Sequence, residues 1–199
     1  MGLFRPIFVV LKDIKQILFI NTMSTTTTWG MDPAHSELLF KVKHLMITNV
    51  KGEFKKFDVK VENEGDDFRD AKVAVKIAAD SIFTNQSDRD KHLTSADFFD
   101  AENHPEITFE SSEMNKLDEE NYQLKGLLGI RGVKKEVVLD AEFGGFMKDP
   151  YGNEKAGFSL SGKFNRKDWG LNWNAALETG GVMVSDEVRL NAEVQLVKQ

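Results

Sequence analysis

Cysteine is missing altogether from these 199 residues. That excludes a disulfide framework, thiol catalysis and cysteine-ligated metal, and it leaves the redox compartment unreadable. Tyrosine is scarce, at two residues against 15 phenylalanines. Phe brings bulk without a hydroxyl that needs a partner, which suits a dry interior, although an ordinary core accepts it equally well. Positive charge is in deficit: 26 Lys and Arg against 32 Asp and Glu give a formal net charge of −6. No basic stripe interleaved with aromatics offsets this, so nucleic acid is excluded as a partner. Long apolar runs are absent too. The most apolar stretch, at 2–20, is interrupted by Lys12, Asp13 and Lys15. It is too short and too charged to span a bilayer, so stable membrane insertion is not expected.

What is present is 41% hydrophobic residues, too many for a disordered chain. The length suits one β-rich domain with a real core. In the first residues, Ile7, Val10, Leu11, Ile14 and Leu18 fit one face of an amphipathic helix able to lie on a membrane. The same stretch is a poor secretory signal, because no small-x-small cleavage site follows it. The favoured reading is a folded domain over 24–199, preceded at 1–23 by a poorly structured extension or a wrongly chosen start. Met23-Ser-Thr-Thr-Thr-Thr-Trp29 reads as a natural beginning. On that reading the protein stays in the cytoplasm; a working signal would send it to the periplasm.

From Trp29 onward the chain alternates apolar and polar residues, the period of strands half exposed to water. Leu38, Phe40, Val42 and His44 share one face, with Glu37, Lys41 and Lys43 on the other. Val50, Gly52 and Phe54 keep one phase and Phe57, Val59 and Val61 take the opposite one, which predicts a bulge near Lys55–Lys56. Later runs follow at Ala71–Ile77, Ile107–Ser111, Tyr122–Ile130, Val137–Phe143, Phe158–Arg166 and Val188–Leu196, the fourth ending at Gly144-Gly145. The sum is an all-β fold of about eight long antiparallel strands. Sandwich and barrel both fit the pattern; strands this long leave costly edges unless the sheet closes. A barrel of that size holds either a solid core or one small ligand. Mid-strand Gly52, Gly126 and Gly162 mark sharp bending or close approach by a neighbour.

One stretch breaks the alternation. Between Asn85 and Phe109 the chain gathers Arg89, Asp90, His92, Phe98 and Phe99. Ser87-x-x-Asp90 has the form of a capping box, and a helix begun there sets Arg89, His92 and Leu93 on one face. Asn85, Arg89 and His92 could meet the polar head of a ligand, since the Arg fork suits phosphate or carboxylate. The competing structural reading pairs Arg89 with Asp32 or Asp90 to pin the insert. His44 is expected to point inward as a satisfied core histidine. Trp169, in Arg166-Lys-Asp-Trp-Gly170, reads as a plug on a short turn or helix.

Other chemistries find less support. Gly157-Phe-Ser159-Leu-Ser161 approximates a nucleophile motif but sits mid-strand, without the strand-to-helix turn the motif needs. His35, His44, His92 and His104 show no metal-ligand spacing. Asp97/Asp100 and Asp186/Glu187 are acid pairs of the kind that chance supplies among 32 acidic residues.

Taken in order, these motifs resemble the YceI-like family of lipid-binding proteins. The resemblance rests on Trp29-x-x-Asp32-Pro33-x-His35-Ser36, Phe40-x-Val42-x-His44-Leu45, Arg89-Asp-x-His92-Leu93, Asp97-Phe-Phe-Asp100, Pro105-x-Ile-Thr-Phe109 and Asn165-Arg-x-Asp-x-Gly170-Leu. It implies an extended, lipocalin-like antiparallel β-barrel with a short helical insert. It further implies a long apolar tunnel for an isoprenoid or another long-chain lipid, and no further cofactor. The expected tail-lining residues are Phe40, Val42, Phe54, Val75, Phe109, Leu128, Phe143, Phe158 and Phe164. Asn85, Arg89 and His92 are expected at the head, with His44, Phe98 and Phe99 completing the ligand-binding set. A non-catalytic carrier or store is the leading expectation. An enzyme acting on an isoprenoid quinone, with His44, Arg89 or His92 as acid or base, and a solid-core interaction module are the rivals. A homodimer through a strand or an apolar patch is a further expectation.

Overall fold

The computed structural model describes residues 26–65, 67–175 and 182–199. The extension at 1–23, with the helix or signal read into it, lies outside the described residues. The alternating segments form one antiparallel sheet of 11 strands. In chain order these are β1 (Thr26–Met31), β2 (Glu37–His44), β3 (Thr48–Phe54), β4 (Phe57–Glu64), β5 (Lys72–Ala78) and β6 (Ile82–Phe83). After the helix α1 (Ser87–Thr94) come β7 (Glu106–Lys116), β8 (Asn121–Ile130), β9 (Val133–Lys148), β10 (Glu154–Asn165) and β11 (Val184–Lys198). β1, β4, β5 and β7 to β11 make a closed ring, sealed where Trp29 faces Lys198 and Met31 faces Leu196.

The three remaining strands continue the staves of this barrel. β1 and β2 lie end to end along β11, with Met31 opposite Leu196 and Glu37 opposite Glu193. β3 runs along β2 while β4 runs along β1, and β5 and β6 pair with β4 and β3. Three long strands are therefore each broken once, at 32–36, 55–56 and 79–81, and eight staves result, the number the alternation predicts. The break at Lys55–Lys56 is the expected phase switch: Phe54 and Phe57 both face inward across it. At 32–36 the Asp32 carboxylate holds the turn. It takes Lys155 Nζ at 2.7 Å and His35 Nδ1 at 3.0 Å, and accepts from Ala34 N–H at 3.0 Å. The hydrogen bond from Lys155, against the opposing effect of burial, brings the Asp32 pKa down to about 2.

Two bulges aim residues inward. The β7–β8 register shifts between Ser111 and Glu113, which turns Met114 to the interior and leaves Glu113 outside. Gly144-Gly145, expected to end a strand, lie within β9 instead. Gly145 adopts φ 104° beside a register shift at Gly157/Phe158, and the strand continues to Lys148. Glycine carries that bulge because only it takes this backbone without strain. Gly126 answers the close-approach expectation: a Cβ there would lie 2.5 Å from the Glu110 carbonyl oxygen and 2.5 Å from the Phe109 ring.

The barrel ends differ. At one end Trp29 donates its indole N–H to Asn63 Oδ1 at 2.8 Å and packs on Phe68, which reaches in from the loop after β4 with no exposed surface. At the other end a 3₁₀ turn, Arg166–Trp169, buries Trp169. Its N–H donates to the Leu128 carbonyl at 2.9 Å, the plug expected of that residue. Gly170 (φ 75°) terminates the turn. α1 follows β6 at this same end. Among the described residues no helix is long and apolar enough to cross a membrane.

Candidate functional site

The inward side chains do not fill the barrel. They enclose a cavity of about 660 Å³, a size typical of small-molecule sites (roughly 300–1,000 Å³). Of the tail residues named from the sequence, Phe40, Val42, Phe54, Val75, Phe109, Leu128, Phe158 and Phe164 line it. Phe143 does not. Phe68 takes the lining position at that end, its ring 4.8 Å from Phe158 and 5.6 Å from Phe143. Phe143 packs with Phe146 at 4.9 Å in the aromatic cluster behind.

The polar lining residues are His44, Thr84, Gln86, Asp88, Arg89, His92 and Arg166. All come from the helical end; the rest of the wall is apolar or aromatic. The insert is built differently from the expected capping box. Gln86, in extended backbone (φ −153°, ψ 108°), is the N-cap, and its side chain accepts from the Arg89 N–H. Asp90 reaches backward to accept from the Thr84 N–H at 2.9 Å and the Thr84 hydroxyl at 2.5 Å. The cap thus lies one position earlier than the sequence pattern suggests, and Asp90, instead of closing the box, holds the segment entering the helix.

Arg89 pairs with neither Asp32 nor Asp90. Its Nε donates to Thr84 Oγ1 and its Nη2 to the Thr84 carbonyl, both at 2.7 Å, while Asp32 is held by Lys155. Arg89 is thereby fixed at the cavity by neutral acceptors. Asn85 is absent from the lining. It is exposed and sits at φ 61°, a left-handed conformation that Asn tolerates, and it serves the turn into the helix. His92 lines the cavity, bonded to Asp97 Oδ2 at 3.0 Å and edge-on to Trp173 at 4.8 Å. Phe98 and Phe99 also line it, and Phe99 meets Phe54 edge-on at 5.8 Å. His44 is half-buried at the end of β2 and lines the cavity. Among the described residues no side chain hydrogen-bonds it, and it faces the cavity.

The residue that sequence reasoning passed over is Arg166. It is 3% exposed, and it lines the cavity. Nε donates to the Ser185 carbonyl at 3.0 Å, and Nη1 donates to the carbonyls of Leu171 and Trp173. Nη2 lies 3.6 Å from Asp186 Oδ1 yet makes no hydrogen bond among the described residues. Burial pulls the guanidinium pKa below its ordinary value and Asp186 opposes the shift; the group stays charged. The signal was in the sequence: Arg166 continues the inward phase of Phe158, Leu160, Gly162 and Phe164.

The remaining candidates fall elsewhere. Ser159 is exposed and donates to Glu193 Oε2 at 2.7 Å. Asp100 accepts from Asn103, and Asp186 and Glu187 pair with Lys167 and Arg189. No group of three or more His, Asp or Glu is placed to hold a metal ion among the described residues. What the site offers is a long apolar wall with hydrogen-bonding groups at one end, a shape for an amphipathic guest.

Comparison with known proteins returns the same architecture. The model of the YceI-like domain matches residues 29–196. A UPF0312 protein of Staphylococcus epidermidis is 42% identical over 170 residues, covering 85% of this chain and 96% of that one. The crystal structure of the Campylobacter jejuni YceI protein superposes with a TM-score of 0.67 at 37% identity, over 80% of this chain and 91% of that one. A polyisoprenoid binding domain from Saccharophagus degradans, at 13% identity, shares the fold with a TM-score of 0.61 over 86% and 98% of the two chains.

Proposed function

The chain belongs to the YceI-like domain family, and on that premise we propose that its barrel binds, stores or carries a long-chain isoprenoid or similar amphipathic lipid without altering it. The observation that carries this reading is the segregation of the cavity lining: every polar lining residue stands at the helical end. The tail lies along the Phe and Val wall. The head accepts hydrogen bonds from Arg89 and His92, which suits a carbonyl, carboxylate, phosphate or quinone oxygen. The Saccharophagus domain of the same fold is described as polyisoprenoid-binding, which agrees with a ligand of this class.

The energetics favour a long tail. Each buried methylene contributes about 0.8 kcal/mol, while association costs roughly 4–15 kcal/mol in lost freedom. A tail of about ten buried carbons offsets only the lower half of that range, and about twenty give net binding without help from the head. Native mass spectrometry of freshly purified protein, followed by organic extraction, tests the proposal. A stoichiometric long-chain lipid is the expected result, lost or weakened in an Arg89→Met variant that circular dichroism shows to remain folded, some stability being lost with its two bonds to Thr84. A protein that is empty and takes up no added isoprenoid refutes it. A lipid returned with altered mass refutes the non-catalytic part and supports an enzyme.

A further inference from the structure

The outer face of the barrel beside the polar end carries a feature that ligand binding inside does not use. The net charge is −6, yet four cations stand in one rung across four adjacent strands. Lys163 of β10 faces Arg189 of β11, Arg189 faces Lys41 of β2, and Lys41 faces Lys51 of β3. Lys43 adds a fifth on the same face of β2. Like charges directly opposite one another destabilise a sheet. Of these five, only Arg189 has an acid partner among the described residues, Glu187 at 2.8 Å. Of the other acids on this face, Glu53 is engaged by Lys55 and Asp186 by Arg166 and Lys167, while Glu37 and Glu193 face each other four residues farther along β2 and β11, away from the polar end.

The hairpin joining β2 to β3 projects past this rung. Its central residues, Leu45 (φ 51°) and Met46 (φ 60°), both occupy left-handed backbone, a turn for which Asn-Gly is the low-cost sequence. Bulky apolar residues there carry conformational strain. Met46 is nonetheless 54% exposed and its neighbour Ile47 80% exposed. The hairpin is tied to the cavity: His44, just before the tip, lines it, and the Leu45 N–H donates to the carbonyl of Met183, another lining residue.

We propose that this face docks on an anionic lipid bilayer, with Met46 and Ile47 dipping into the acyl boundary and the lysine rung lying on the headgroups, so that the polar end of the cavity meets the membrane surface. A bilayer fits because it presents negative charge and apolar depth side by side, as the rung and the tip do. The proposal goes beyond the tunnel reading and does not depend on what the cavity holds.

Flotation of the full-length protein with vesicles tests it. Co-flotation is expected with phosphatidylcholine–phosphatidylglycerol vesicles, not with phosphatidylcholine alone, and it should weaken as salt shortens the screening length. Each Lys near an anionic surface contributes about fivefold to partition, so Lys41→Gln/Lys51→Gln/Lys163→Gln should lower it on the order of a hundredfold. Met46→Gly/Ile47→Ser should also lose binding while unfolding at the same or a higher temperature, since glycine suits that φ. Absence of flotation overturns the proposal. So does flotation unchanged in both variants, as would occur if residues 1–25 carried the binding, and so does binding to soluble heparin without binding to vesicles. Lipid retention measured on the same variants should be unaffected, which separates failure of docking from failure of the tunnel.

Discussion

Leu160 offers a way to fill the barrel without disturbing its wall. In its rung it is flanked by Ala141 on β9 and Ala192 on β11, and all three line the cavity. A Leu160→Trp side chain therefore has small neighbours on both sides and open space ahead. Trp carries about six heavy atoms more than Leu, which would displace about as many ligand carbons; at ~0.8 kcal/mol each the loss is about 5 kcal/mol. That corresponds to more than three decades in Kd. The free protein should be no less stable, because the ring adds apolar contacts where the native chain has none. Competition with a fluorescent long-chain probe reads the first quantity and urea denaturation of delipidated protein reads the second. Undiminished retention would refute a tail lying in the barrel. A stability loss of about 1–3 kcal/mol, the cost of overpacking a full core, would show the interior to be solid and would favour the interaction-module reading.

Arg166→Met removes three charge-assisted hydrogen bonds to carbonyls and should destabilise by about 4 kcal/mol; Asp186→Asn, which leaves those bonds in place, should cost about 1 kcal/mol, both read from urea midpoints. Asp32 has a folded pKa of about 2, below its unfolded value, so its contribution is complete above about pH 4 and is lost as the pH falls toward 2. After allowance for solvent screening it amounts to about 1 kcal/mol; the stability gap between wild type and Asp32→Asn should therefore close across that interval. Gly126→Ala sets a Cβ 2.5 Å from a backbone oxygen and from the Phe109 ring, and thermal unfolding should show a loss of about 1–3 kcal/mol.

The inward faces were legible because period two is a local property: Phe40 and Val42, or Phe158 and Phe164, declare their side of the sheet from their neighbours alone. The phase switch at Lys55–Lys56 was visible for the same reason, and spacing by three and four placed Arg89 with His92. What could not be read depends on contacts between distant segments. Phe68 sits in an acidic stretch and becomes the floor of the cavity only when β9 and β10 bring Phe143 and Phe158 to it. The partners of Arg89 turned out to be two oxygens of Thr84, which no charge-matching rule proposes. Arg166 stood in the inward series, but its burial is made tolerable by carbonyls at 171, 173 and 185 that the alternation does not reveal.

If the barrel holds a lipid as proposed, the floor built by Phe68 and the aromatics behind it would make it a ruler. On the proposed reading, a guest whose head is held by Arg89 would extend only as far as that ring. Affinity should climb about fourfold for each methylene added and then stop climbing at the length that touches Phe68. Tails beyond that length would leave their surplus outside. The chain would thus sort a homologous series of lipids by length, with the cut-off set by one phenylalanine, and Phe68→Ala should move it to a longer homologue.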